Sequence, residues 1–135
     1  MPISTLVKLY AIALPTFLVI DLLWLGLVAK TFYQSKLGHL LRADVNWTAA
    51  IVFYLLFVLG MVILVVWPAV ERQSMARAVF LGALLGIVAY AAYDLTNLAT
   101  MKGFPVLVAV VDISWGAILC AGVCSITYSI WIWIN

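Results

Sequence analysis

The sequence predicts an all-α membrane protein, a four-transmembrane-helix bundle with a short interfacial helix between the first and second helices. Two observations carry that prediction. The 135 residues are 68% hydrophobic and 9% charged, against about 45–50% apolar and about 25% charged in a soluble domain. A chain this short cannot hide so much apolar surface inside itself. Four stretches, about 5–29, 47–67, 77–100 and 105–133, also reach the roughly 20 apolar residues that a helix needs to cross the hydrocarbon core. They form one transmembrane domain, residues 1–135.

In the first stretch the early cation Lys8 lies inside the apolar run rather than before it, and no small-residue cleavage site follows. The segment is therefore expected to remain as a helix rather than leave as a signal peptide. Pro15 should bend it before Asp21 and free a backbone carbonyl. In the connection 30–46, Tyr33, Leu37, Leu40 and Leu41 share one helical face, with Ser35, His39 and Arg42 opposite. That pattern suits a short helix lying in the membrane interface. His39, the one histidine, reads there as a surface residue.

Asp44 or Asn46 is placed to cap the second span. The glycosylation acceptor pattern Asn46-Trp47-Thr48 reads as chance so close to the membrane. The second span ends before Pro68, which opens the loop 68–76. The third is least apolar in its second half, where Tyr90, Tyr93, Asp94, Thr96 and Asn97 cluster. A hairpin, 101–104, turns around Gly103 and ends at Pro105. The fourth stretch exceeds one bilayer thickness, so it tilts or projects. Within it Cys120 and Cys124 are a turn apart in apolar surroundings, which reads as two small buried hydrophobes rather than a redox pair.

An even helix number puts both termini on one side. Trp67, Trp131 and Trp133 mark that side and Trp47 the other, as interfacial aromatics should. Lys8, Arg72 and Arg77 lie on the termini side; Lys30, Lys36, Arg42 and Lys102 lie on the loop side. A surplus of one leans toward cytoplasmic loops 30–46 and 101–104. Near-balance is also what a dual-topology homodimer shows, although a fixed topology with a weak signal is the preferred reading. The net charge of +2 and the scattered cations give no reason to expect nucleic acid as a partner.

Three aspartates, Asp21, Asp94 and Asp112, sit inside the spans. Each costs roughly 2.5–3.5 kcal/mol at a helix centre unless a partner, water or a proton meets it. No Lys or Arg is expected at their depth. Counting from the helix ends, all three carboxyls fall about 9–12 Å below the loop-side face at 1.5 Å per residue. They are expected to form one layer and one polar site. Helical phase supports this. Gly82, Gly86, Tyr90, Asp94 and Asn97 share one arc of the third helix, whose glycine end permits close helix contact. Tyr54 lies at the same depth on the second helix, as a donor. Asp21 with Trp24 and Asp112 with Trp115 repeat an Asp-x-x-Trp pattern. The expected result is a box with acidic corners and indole walls, suited to an organic cation.

The strings Asp21-Leu22-Leu23-Trp24-Leu25-Gly26, Tyr33 with Leu37-Gly38, Phe53-Tyr54, Tyr93-Asp94-Leu95-Thr96-Asn97 and Asp112-Ile113-Ser114-Trp115-Gly116 resemble a bacterial family of small predicted membrane proteins. That family is known only as a domain of unknown function. The resemblance spans nearly the whole chain and implies a bacterial inner-membrane location. It implies no substrate, cofactor or catalytic residue. Size and helix number are also similar to small multidrug-resistance transporters, an analogy of architecture and charge logic only. Here the acid of the first helix is Asp rather than Glu, and two further acids appear.

The favoured expectation is binding or proton-linked transport of a small, cationic solute at the Asp cluster, with the lipid bilayer as surroundings and a homodimer to complete a pathway. One alternative is a membrane-embedded enzyme acting on a lipid or isoprenoid, for which two acids would serve as proton donor and acceptor. Against it, no nucleophile–base pair and no phosphate cradle is present. The other is a structural subunit whose acids only hydrogen-bond internally. Three carboxylates would suit a hard divalent cation, but no metal-enzyme motif accompanies them, so no metal or cofactor is expected.

Overall fold

The computed structural model describes residues 2–42 and 44–135. Met1 and Ala43, which fall in the chain start and in the 30–46 connection, lie outside the described residues. Among those described, four helices are long and apolar enough to cross a membrane, and no strand occurs. They are α1 (Ile3–Leu37), α2 (Trp47–Glu71), α3 (Met75–Thr100) and α4 (Val106–Ile134). Short connections make successive helices antiparallel. The most apolar 18-residue window of α3 has a mean hydropathy of only 1.8, against 2.2, 3.0 and 2.2 in the other three. That deficit comes from the polar cluster of its second half.

Each helix start has a local cause. The Asn46 side chain accepts a hydrogen bond from the Ala49 backbone N–H at 3.1 Å and caps α2. Ser74 does the same for α3 through the Arg77 N–H at 3.2 Å. Pro105, fixed in extended backbone with φ −72°, precedes the first helical residue of α4. Both satisfied caps fill N–H groups that a helix end leaves without a partner.

Two boundaries differ from the sequence expectation, and both involve a widened π turn. The segment 30–37 is helical as expected, but it continues α1 through a π-helical stretch, Trp24–Ala29, rather than standing apart from it. In α2 the chain passes Pro68 and remains helical to Glu71, because the stretch Val62–Val66 is π-helical. Pro68 has no N–H and its ring crowds the preceding turn. A turn of larger radius absorbs both defects without ending the helix.

The tightest contact joins α3 and α4. A Cβ added at Gly86 would fall on the Gly116 carbonyl, and one added at Gly116 would fall on the Tyr90 ring. At Gly82 it would stand 2.9 Å from the Cys120 carbonyl oxygen. Backbones therefore touch where lipid offers no hydrophobic drive and close packing must supply the attraction. On the termini side of this crossing the space is filled. Leu9, Ala13 and Phe17 of α1 meet Val58, Met61, Val62 and Val65 of α2, and Leu119, Val123 and Cys124 of α4, all buried. Cys120 and Cys124 are free thiols within that core. A second, smaller cluster closes the loop end, where Leu37 of α1 packs on Phe104, Val108 and Ala109. Between the two clusters the bundle stays open.

Gly86→Leu should therefore separate α3 from α4 and destabilise the fold by about 1–3 kcal/mol or more, the usual cost of overpacking. Gly60→Ala, where no atom lies within 4 Å of the added methyl, should be tolerated. Thermal unfolding of the detergent-purified variants checks this; equal transitions for the two would remove the crossing as the organising contact.

Candidate functional site

The open zone between the clusters holds two adjoining cavities. The first has a volume of about 500 Å³ and draws on all four helices. Its acids are Asp21 and Asp112. Its walls are aromatic: Trp24 and Tyr33 from α1, Phe53 and Tyr54 from α2, Tyr90 and Tyr93 from α3, and Trp115 from α4. The second, about 430 Å³, lies beside it under the extension of α1. Asp94, Lys30 and Gln34 belong to the second cavity alone, whereas Asp112, Tyr33, Tyr93 and Leu25 line both.

Seven of the eight residues singled out in the sequence thus line a cavity, and Asp112 joins the two spaces. Asn97 is the exception, since it lines neither cavity. It shares the arc of Asp94, but it stands three residues closer to the loops, where α3 has reached the closing cluster.

The acids are not one flat layer. Trp115 Nε1 donates to Asp21 Oδ1 at 3.3 Å. Trp115 stands one turn beyond Asp112 on α4, away from the loops. The Tyr33 hydroxyl donates to Asp112 Oδ1 at 2.6 Å. Tyr33 stands twelve residues past Asp21 on α1, toward the loops. Asp21 therefore occupies a lower tier and Asp112 an upper one. Tilted helices displace residues that equal counting from the ends would align. The stagger also changes the indoles. Trp24 and Trp115 stack on each other, with centroids 4.3 Å apart and planes within 7°. They form one slab at the boundary of the first cavity rather than two facing walls.

Each acid is met differently. Asp21 is 7% exposed and has the indole donor. Asp112 is half-buried and has the phenol donor. Asp94 is 0% exposed, and neither of its oxygens has a hydrogen-bond partner among the described residues. The Trp24 Nε1 donor is also buried without an acceptor. The only ion pair among the described residues is the exposed Arg42–Asp44 contact at 3.5 Å. Also among them, no three of His, Cys, Asp and Glu converge as a metal-ligand set, and Asp21 and Asp94 line different cavities.

Local backbone explains these positions. Gly86, Tyr90 and Asp94 follow at one-turn intervals, so the contact at Gly86 presses Tyr90 onto Gly116 and carries Asp94 into the splayed region. The π stretch Trp24–Ala29 holds more residues per turn than an α-helix, which re-phases the helix beyond it. Tyr33 and Leu37 then face α4. Tyr33, Tyr93, Phe53 and Lys30 are among the lining residues that sequence reasoning missed. Tyr33 stood on the apolar face of the proposed interfacial helix and within the resemblance strings; nothing in the spacing marked it as a partner of Asp112.

Residues 6–129 match a protein family described as "Predicted membrane protein (DUF2177)". The comparisons with curated proteins and with solved structures give no match.

Removing the Tyr33 hydroxyl leaves a partly buried carboxyl without its donor. Tyr33→Phe should cost about 1.5–3 kcal/mol, the range for hydrogen bonds to charged groups. A double-mutant cycle with Asp112→Asn, read by thermal unfolding, isolates the pair. Additive effects of the two substitutions would mean that the bond contributes nothing.

Proposed function

As the chain belongs to the DUF2177 family of membrane proteins, whose description carries no activity, we propose from its site that it binds a small organic cation inside the bilayer in exchange for a proton. That exchange is the elementary step of proton-linked transport. The observation that carries the reading is the first cavity. Seven aromatic side chains and two carboxylates line about 500 Å³, with no Lys or Arg among the lining residues. Pockets of this size suit small ligands. Aromatic faces attract a cation that has left water.

The exchange follows from charge. Two carboxylates in a space walled largely by aromatic side chains have no Lys or Arg among that lining to balance them, and uncompensated charge there is costly. A proton or a bound cation relieves that cost, so the two compete. The indole on Asp21 and the phenol on Asp112 each satisfy one oxygen and hold the carboxyl in place. The remaining lone pairs are left for the occupant.

Four helices leave little room for a path through one subunit, so transport by this site calls for a homodimer. The family resemblance and the cation surplus of the 30–46 and 101–104 loops favour a bacterial inner membrane with those loops cytoplasmic.

In weakly buffered detergent solution, tetraphenylphosphonium and tetraalkylammonium ions should release protons from the wild-type protein. Asp21→Asn and Asp112→Asn should each release fewer. Absence of release from the wild type with every cation would end the exchange reading.

A further inference from the structure

The second cavity has a different chemistry. Asp94 lines it fully buried, its carboxyl set against that of Asp112, and neither of its oxygens has a hydrogen-bond donor among the described residues. Of the two phenols in the lining, Tyr33 and Tyr93, the first donates its hydroxyl to Asp112. Lys30 lines the same cavity but makes no ion pair with either acid among the described residues. Its side chain is exposed, as expected of a long cation that carries its charge out to water. The cavity therefore separates a free positive charge at its mouth from an unmet acid at its floor. Leu37, Leu41 and Val108 add apolar walls to the same cavity.

We infer that this cavity is a separate site for a zwitterion, a primary ammonium carried a few bonds from an anionic group. The ammonium is directed to Asp94 and the anion to Lys30. Asp94 requires hydrogen-bond donors, not only positive charge, because leaving buried acceptors unpaired is what costs free energy. A primary ammonium brings three donors; a quaternary ammonium brings none. The two cavities thus divide cations by type. The first offers aromatic faces to a cation without donors, and the second offers bare carboxyl oxygens to one that has them. Gln34 adds an amide at the mouth that can donate to the anion. The headgroup of an aminophospholipid and a free zwitterion of the same composition share this chemistry.

Calorimetric titration of the detergent-purified chain tests it with O-phosphoethanolamine and with dihexanoyl phosphatidylethanolamine. Phosphocholine and dihexanoyl phosphatidylcholine are the controls. The ethanolamine compounds should bind about tenfold or more tightly than their choline counterparts, a difference of about 1.4 kcal/mol. Asp94→Asn should remove that preference. Lys30→Gln, a change at an exposed side chain that leaves folding intact, should weaken both ethanolamine compounds about tenfold. Comparable binding of the free compound and the lipid identifies a free zwitterion. Binding of the lipid alone identifies a bilayer headgroup, and either result supports the site. Equal binding of ethanolamine and choline compounds, no binding of any, or indifference to Lys30→Gln overturns it. Proton release by quaternary cations at Asp21 is read separately, so each reading can fail without the other.

Discussion

The contact between the α3 and α4 backbones at Gly86 and Gly116 sets the geometry of everything around it. Two helices that touch at one crossing must diverge on either side. On the termini side, Leu119, Val123, Cys124 and the buried faces of α1 and α2 fill the divergence. On the loop side the bundle holds cavities instead, and the intramembrane acids line them. Because Tyr90 and Asp94 follow Gly86 at one-turn intervals, the same contact aims both into the open zone. Close backbone approach is one of the few attractions available between helices whose side chains are no more apolar than lipid.

Within that opening, the acids divide by what the chain offers them. An indole meets Asp21, with the Tyr54 phenol also beside it, and a phenol meets Asp112, few donors for groups that accept several. Among the described residues Asp94, set against the Asp112 carboxyl, receives no donor, and the Trp24 indole has no acceptor. Unmet donors and acceptors are expensive in a membrane-spanning protein. Water, a proton or a ligand in the adjoining space would relieve that cost. The extension of α1 past its π turn completes this arrangement. It brings Tyr33 onto Asp112 and Lys30 to the mouth of the second cavity, and it seats Leu37 against Phe104 and Val108.

Much of this was legible in the sequence. Hydropathy and length gave the four spans, since a bilayer imposes both directly. Asn46 was recognisable, with Asp44, as one of two candidate caps because a capping side chain needs only its own next turn. The glycines of α3, and Tyr90 and Asp94 beyond them, could be placed on one arc because helical phase is a local property. The misreadings were all of longer range. Asn97 shares the arc but stands past the open zone. Pro68 appeared to end a helix that a π turn carries through. Trp24 and Trp115, read as opposing walls, stack because the acids beside them are staggered.

By itself, then, the sequence determined a four-helix membrane protein with a cluster of acids toward the loop side, because lipid thickness and the helical repeat act residue by residue. The tertiary structure decided which acid has which partner, that the cluster divides into two cavities, and that Lys30 and Tyr33 belong to it. Those outcomes depend on helix tilt and on the re-phasing of α1 at Trp24–Ala29. Both are set by packing between helices, and no spacing within a single helix records them.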